Sequence, residues 1–255
     1  MRRAKQLPLE AMTPQNKLSH LKEFQKVLKD YKPSIDVIDL LNQIKVVFLV
    51  APAASGRNTI IRNMIMTGKY YYLISDTTRK PRINNGVPER DGAEYWFKNE
   101  EQMLDGLHRG EYIEASIIHE QQVSGASIQE LRNALEKTLI AITDIDIQGC
   151  DFLQDYARDA ENIFVLPPDF DEWMRRMDGR GAMELSEKKR RLQSAVKEIQ
   201  GALTRPYFKF VVNWDLRSTC EQLHEEILDG IFDEHRQQEA RHHAVTLLAR
   251  LDSEL

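Results

Sequence analysis

A series of short apolar runs, separated by stretches of helical character, constrains the fold of this chain more than any other feature. The runs are VVFLV (46–50), YYYLIS (70–75), LIAITDI (139–145), IFVL (163–166) and FKFVV (208–212). Strands that alternate with helices indicate a parallel sheet with helices on both faces. The runs show no strict alternation of apolar and polar residues, which is typical of strands buried on both sides. The sequence therefore predicts a three-layer α/β fold.

Helical spacing of apolar residues predicts the elements between and around these runs. The expected helices cover residues 58–66, 100–107, 128–137, 170–177, 187–203 and 219–232. The segment from Asp76 to Gly125 is rich in Arg, Pro, Asn, Gly and aromatic residues, and we interpret it as an inserted subdomain. We expect a helical extension over 1–44, interrupted at Pro33, an α/β domain over 45–232, and a charged helical tail over 233–255.

Composition narrows the class of protein. The 255 residues are 42% hydrophobic, which suffices for a sizeable core, and the net charge of −5 does not suggest a nucleic-acid binder. Cys150 and Cys220 build no metal-binding or disulfide framework, so a reducing compartment is expected. The first residues lack the apolar centre of a signal peptide, and no run approaches the roughly 18 apolar residues of a membrane span. We expect a cytoplasmic protein without membrane partners, and the oligomeric state stays open.

The stretch VAPAASGRNT (50–59) joins the first apolar run to a predicted helix. Strand, small-residue turn and helix are the parts of a phosphate-binding loop, whose pattern is G-x-x-x-x-G-K-[ST]. Such a loop works through backbone N–H groups and a helix N-terminus that converge on phosphate oxygens. Gly56 fits the pattern, whereas Ala51, Arg57 and Asn58 replace the first glycine, the lysine and the hydroxyl, and Thr59 comes one place late. Taken alone, the stretch is equally compatible with an ordinary strand-to-helix turn.

The motifs that surround the loop favour the first interpretation. They are SDTTRKPR (75–82), GAEYWF (92–97), EYIEA (111–115), TDIDIQG (143–149), FVLPPDFDEWMRRMDGRG (164–181) and RRL (190–192). Their order and spacing resemble the guanylate kinase family over about residues 46–232. The resemblance implies a P-loop kinase fold with a nucleoside-monophosphate-binding insertion at about 76–125 and a lid at about 179–192. It also implies transfer of the γ-phosphoryl group of ATP to GMP, which yields ADP and GDP.

The resemblance also implies roles for individual residues. Those matched to the ATP site are Ala54, Ser55, Gly56, Arg57, Asn58, Thr59 and Asn213. Those matched to the GMP site are Ser75, Arg79, Arg82, Tyr95, Glu114 and Asp146. The catalytic cations are Arg57, Arg176, Arg180 and Arg191, and the residues expected to hold Mg²⁺ or its water shell are Asn58 and Asp144. ATP and GMP are the implied small-molecule partners.

These residue types suit the chemistry. The guanidinium groups of Arg79 and Arg82, with the phenol of Tyr95, suit a phosphate dianion. Guanine offers two adjacent donors on its Watson–Crick edge, so carboxylates such as Glu114 and Asp146 accept from it. Adenine has an acceptor at N1 and would leave a carboxylate unpaired. For Asp146, a capping role at the end of a strand is the alternative.

Departures from the family pattern leave three hypotheses open. Ser124 stands where the family has a phosphate-binding tyrosine, Ala126 replaces a base-binding hydroxyl, and the loop after Arg82 is longer. The chain is either an active ATP:GMP phosphotransferase, a pseudokinase that binds GMP or phosphorylated peptides, or a kinase with shifted monophosphate specificity. The lid arginines favour the first, the altered phosphate loop favours the second, and Ser124 and Ala126 favour the third.

Overall fold

A computed structural model describes residues 17–84, 86–179 and 184–255. The strands, in chain order, are β1 (Val46–Val50), β2 (Tyr70–Tyr72), β3 (Ser75–Thr77), β4 (Ile83–Asn84), β5 (Val87–Pro88), β6 (Trp96–Phe97), β7 (Tyr112–Ile118), β8 (Gln122–Ser127), β9 (Ile140–Asp144), β10 (Glu161–Leu166) and β11 (Phe208–Val212). The helices are α1 (Leu21–Lys29), α2 (Ile35–Gln43), α3 (Arg57–Met66), α4 (Glu100–His108), α5 (Ile128–Glu136), α6 (Ile147–Leu153), α7 (Phe170–Asp178), α8 (Leu185–Leu203), α9 (Leu216–His224) and α10 (Glu234–Glu254).

A parallel five-stranded sheet, ordered β11-β10-β1-β9-β2, forms the centre of the molecule. Every residue of β1 is buried, and its side chains alternate between two apolar clusters. Val46 and Phe48 pack on the face covered by α5, α7, α8 and α10, whereas Val47 and Leu49 pack on the face covered by α3 and α9. The prediction of a three-layer α/β fold is confirmed.

A second sheet, ordered β6-β3-β8-β7, forms the inserted subdomain beside the central sheet. Here the prediction of one strand over 70–75 is wrong, because β2 belongs to the central sheet and β3 to the second. The chain changes sheets at Leu73, which is fully buried and whose N–H donates to the carbonyl of Ile142. An unbroken apolar run carries no signal for such a change of partner.

Two N-terminal helices pack on both parts of the molecule. Helix α1 contacts α4 and β7 of the subdomain, and its Phe24 is fully buried there. Helix α2 contacts β7 and also α5, and its Val37 joins the main core. Between them, the Tyr31 hydroxyl donates to the Tyr112 carbonyl at 2.6 Å and accepts from the Tyr112 N–H at 2.9 Å. Residues 17–44 of the predicted extension are thus packed into the fold, and residues 1–16 lie outside the described ranges.

The C-terminal part differs from the sequence prediction in one detail. The predicted helix over 219–232 ends earlier, because α9 continues as a π-helical turn, Glu225–Asp229, and Gly230 adopts a left-handed conformation (φ 66°) that closes it. Helix α10 then packs against α7, α8 and β11, with Ala244 and Leu251 fully buried. Within the described ranges, no helix combines the length and apolarity that crossing a membrane requires.

Candidate active site

The loop between β1 and α3 has the backbone of an anion-binding nest. Ala54 (φ 67°) and Gly56 (φ 95°) both adopt left-handed conformations. The Trp173 indole N–H donates to the Ala53 carbonyl and the Asn213 amide donates to the Ser55 carbonyl, each at 2.8 Å. The first N–H groups of α3 have no acceptor within the helix. Carbonyls held from outside and free N–H groups are the features that bind phosphate.

Two buried donors at this loop have no protein partner in the described part of the chain, the Ser55 hydroxyl and the Nε of Arg57. Buried polar groups are nearly always paired, so such orphans point to a ligand. Gly56 is required here for two reasons, because its φ is positive and because a Cβ would lie 2.2 Å from the Asn213 amide nitrogen. The loop therefore fits a phosphate group.

The guanidinium of Arg57 is paired within the protein. Its Nη2 donates to Oδ2 of Asp144 at 2.6 Å, and the two side chains are 26% and 29% exposed. The other oxygen of Asp144 accepts from the Tyr72 hydroxyl at 2.8 Å. The cation of the phosphate loop thus neutralises the carboxylate that we expected to hold magnesium.

The donor set fits Mg²⁺ under one condition. Magnesium bound with a nucleotide needs only one or two carboxylates, because phosphate oxygens and water complete its octahedron. Asp144 would supply such a carboxylate once Arg57 has turned away, and the amide of Asn58, exposed in the first turn of α3, stays the predicted second oxygen ligand. Among the described residues, no cluster of three or more His, Cys, Asp or Glu side chains offers a cage of its own.

A cleft of about 780 Å³ opens between the phosphate loop and the inserted subdomain. Among the side chains that line it are the predicted site residues Arg57, Ser75, Tyr95, Glu114, Asp144 and Asp146. Asp146 is also the N-cap of α6, since its Oδ1 accepts from the Gly149 N–H at 2.7 Å. Asp146 therefore both caps α6 and lines the cleft.

The carboxyl group of Glu114, which lines the cleft, has a strongly raised pKa. Burial, together with the negative charges of Asp146 and Asp144, raises its pKa to about 8. Each cause disfavours the ionised form. A ligand that presents hydrogen-bond donors to this carboxyl group would favour ionisation again.

Arg79 and Arg82 lie at different depths in the subdomain. The Arg79 guanidinium makes a buried, two-pronged pair with Glu89, with distances of 2.5 and 2.9 Å, and lies 4.6 Å from the centre of the Tyr95 ring. Glu89 also accepts from the backbone N–H of Arg82, whose side chain is exposed. Arg79 is thus fixed beside Tyr95, whereas the Arg82 side chain points to solvent.

The lid arginines are only partly gathered at the site. The Nε of Arg176 donates to Glu172 at 2.8 Å, and its Nη1 donates to the carbonyl of Asn213 at 3.3 Å, close to Gly56. Arg191 pairs with Glu187 on α8 and is not among the described side chains that line the cleft. Arg180 lies outside the described residues. Asn58 and Thr59 are exposed, and neither side chain lines the cleft.

Two residues that departed from the family pattern take up structural positions. The Ser124 hydroxyl lines the cleft and donates to the Thr77 hydroxyl at 2.9 Å. Ala126 is buried opposite Ser75 in the β3–β8 ladder and has no hydroxyl to offer there. The extended loop after Arg82 contains the short β4–β5 hairpin and brings Glu89 to Arg79.

Sequence reasoning missed several side chains that organise the site. Glu130 is 1% exposed and accepts from the Ile74 N–H and the Trp96 indole, which fixes the chain beside Ser75. Glu89 orients Arg79, and Trp173 holds the loop at Ala53. Glu130 stands three residues after Ser127 in a helical pattern and resembles any surface glutamate. An acidic residue among the arginines of 79–90 was the one available signal for Glu89.

The fold and the site define a P-loop kinase of the nucleoside monophosphate class. The family model for guanylate kinase matches residues 43–229, and the chain belongs to this family. The guanylate kinase of Clostridioides difficile (strain 630) is 28% identical over 173 residues, which cover 68% of this chain and 81% of the relative. That of Porphyromonas gingivalis (strain W83) is 28% identical over 190 residues, covering 73% and 98%.

A crystal structure of guanylate kinase from Anaplasma phagocytophilum shares the fold. The TM-score is 0.54 at 23% identity, and the match covers 78% of this chain and 92% of the other. Family membership supports a nucleoside monophosphate kinase, which is a transferase that uses nucleotides.

Proposed function

We propose that this chain phosphorylates GMP at the expense of ATP. One observation carries the proposal: Arg57 of the phosphate loop and the carboxyl groups of Glu114 and Asp146 line the same cleft. A phosphoryl donor bound at one end and a guanine bound at the other would point their phosphates towards each other. In phosphoryl transfer, such positioning and charge neutralisation supply most of the catalysis.

The acceptor side supports guanine and a phosphate. Glu114 and Asp146 suit the N1–H and 2-amino donors, and Ser75 adds a hydroxyl on the same wall. Tyr95 lines the cleft, and the Arg79 guanidinium lies 4.6 Å from the centre of its ring, so Arg79 could contact the acceptor phosphate once Glu89 releases it. The missing hydroxyl at Ala126 removes one hydrogen bond, which weakens binding by about 0.5–1.5 kcal/mol and does not abolish it.

The donor side supports ATP with magnesium. The orphaned donors of Ser55 and Arg57 would be satisfied by phosphate oxygens. Arg176, already next to Gly56 and Asn213, would neutralise charge on the transferring phosphoryl group. Asp144 and Asn58 would hold Mg²⁺, which offsets phosphate charge when it is bound.

A binding-only protein is the second candidate, and the Arg57–Asp144 pair favours it. A loop whose cation is neutralised internally at 2.6 Å has no charge free for ATP until that pair opens. The acceptor side, with Arg79 and Tyr95, would then hold GMP or a phosphorylated peptide without turnover.

The test measures ADP release by the purified protein with Mg-ATP and a panel of GMP, AMP, CMP, UMP and IMP. We expect turnover with GMP above the other acceptors, and Glu114→Gln to reduce that preference. Turnover that is highest with another monophosphate would establish shifted specificity. No turnover with any acceptor, combined with micromolar binding of GMP or a phosphopeptide, would establish the binding-only protein.

A further inference from the structure

A second pocket, separate from the cleft, lies at the β11 edge of the central sheet. It has a volume of about 770 Å³ and is walled by β11, α9 and α10. Trp214 lines it and is 59% exposed, which is unusual for the largest aromatic side chain. The other rings on its walls are those of Phe210, His235, His242 and His243.

Trp214 is connected to the phosphate loop through its neighbour in the sequence. It follows Asn213, whose side-chain amide donates to the Ser55 carbonyl and would touch any Cβ at position 56. Neighbouring Cα atoms are about 3.8 Å apart. Trp214 therefore lies one residue from a side chain that contacts the phosphate loop, within the length of a nucleotide whose phosphates lie on residues 54–59.

His243 supports the tryptophan from the C-terminal helix. The two ring centres are 5.1 Å apart, with the planes tilted by 58°. The Nε2 of His243 lies 3.0 Å from the carbonyl oxygen of Pro167, at the end of β10, which fixes the imidazole in place. Helix α10 lies beyond residue 229, where the family match ends, so this support belongs to the tail of this particular chain.

The charges around the pocket suit a neutral ring. Arg236 is the one Arg or Lys side chain among the described residues that line it, and Asp233 and Glu225 already pair with it at 3.1 and 3.6 Å. His235 pairs with Glu239 at 3.5 Å. With its cation neutralised, the pocket offers aromatic surface and does not offer a phosphate site.

We propose that Trp214, supported by His243, is the stacking platform for the purine base of the phosphoryl donor. The inference rests on the proposed function in one respect, namely that the phosphoryl donor is a nucleoside triphosphate. Stacking uses the π-face that every base has, so it discriminates weakly between bases. ATP and GTP are therefore expected to bind with dissociation constants within about threefold of each other.

The experiment measures binding of ATP, GTP, adenosine and inorganic tripolyphosphate by calorimetry and by tryptophan fluorescence. We expect Trp214→Ala to weaken ATP binding about 10- to 100-fold, and Trp214→Phe to restore most of it, since stacking on an aromatic ring is worth a factor of that size. His243→Ala should weaken ATP binding about threefold. His108→Ala is the matched control, because it removes an exposed imidazole that does not line this pocket.

Fluorescence separates the base from the phosphates. Adenosine and ATP should quench the wild type more than Trp214→Phe, whereas tripolyphosphate should affect both equally, through Trp173 at the loop. Unchanged ATP affinity in Trp214→Ala, or equal quenching in wild type and Trp214→Phe, would overturn the proposal.

GMP binding, measured in parallel, should be the same in all variants. ATP binding that depends on Trp214 without GMP turnover would sustain this inference and end the proposed function. GMP turnover that is the same in the wild type and in Trp214→Ala would sustain the proposed function and overturn this inference. A wild type that binds neither ATP nor adenosine would overturn both.

Discussion

Replacing Asp144 with asparagine tests whether the Arg57–Asp144 pair competes with the nucleotide. The Nη2 of Arg57 cannot donate to a phosphate of ATP while it keeps its 2.6 Å contact with Asp144. The pair is about three-quarters buried on each side. Its opening should therefore cost more than that of an exposed pair, and about 1–2 kcal/mol is a reasonable value. That cost corresponds to a factor of about 5–30 in affinity.

We therefore expect Asp144→Asn to bind ATP about 5- to 30-fold more tightly than the wild type when EDTA removes metal ions. With magnesium present, the same variant should turn over more slowly, because the carboxylate expected to hold the ion is gone. Calorimetric titration of ATP with EDTA, and ADP release with Mg²⁺, measure the two effects. The opposite signs distinguish competition from general damage to the site.

Glu161→Gln is the matched control. It breaks an ion pair with Lys209 that is about as exposed as the Arg57–Asp144 pair. Glu161 is at the N-terminal end of β10, whereas the phosphate loop follows the C-terminal end of the parallel strand β1. Its affinity for metal-free ATP should equal that of the wild type. Equal or weaker binding of metal-free ATP by Asp144→Asn would refute the competition.

Further expectations concern the loop, the base site and the extension. Arg57→Lys should preserve or raise turnover, whereas the control Arg62→Lys, on the exposed side of α3, should not change it. A loss of turnover in Arg57→Lys alone would mean that the guanidinium group itself is needed. GMP affinity should rise by up to about tenfold per pH unit towards pH 8 and then level off, because guanine requires the carboxylate and the pKa of Glu114 is raised to about 8. Glu114→Gln should flatten that profile. An identical profile in the variant would exclude Glu114 as its source. Phe24→Ala should lower the free energy of unfolding in urea by about 3–5 kcal/mol, against about 0.5 or less for the exposed Ile35→Ala; similar values for the two would show that α1 is not part of the cooperative core.

The sequence predicts the central sheet well for a physical reason. Strands buried on both sides, such as β1, must be apolar throughout, so each appears as a recognisable run. The run 70–75 was misread because the same composition serves β2 in one sheet and β3 in the other. Which sheet a residue joins depends on partners such as Ile142, far along the chain.

The residue types of the candidate site were predictable, but their pairing was not. Motif spacing pointed to Arg57, Glu114 and Asp144, and these residues line one cleft. The ion pair joins residues 87 positions apart, and local patterns carry no information on such a contact. The raised pKa of Glu114 likewise arises from burial and from two acids at the end of β9 and the start of α6.

The packing of the N-terminal helices links their docking free energy to acceptor binding. Helix α1 lies on the acceptor subdomain, and α2 reaches the core as well as β7, the strand that carries Glu114. If acceptor binding shifts the subdomain relative to the core, it must also change the docking free energy of these helices. Thermodynamic linkage then makes the effect reciprocal: the factor by which GMP protects α1 amides from hydrogen exchange equals the factor by which docked helices tighten GMP. Substitutions in the extension that change its docking free energy would thus change the affinity for the acceptor, although they lie far from any nucleotide contact.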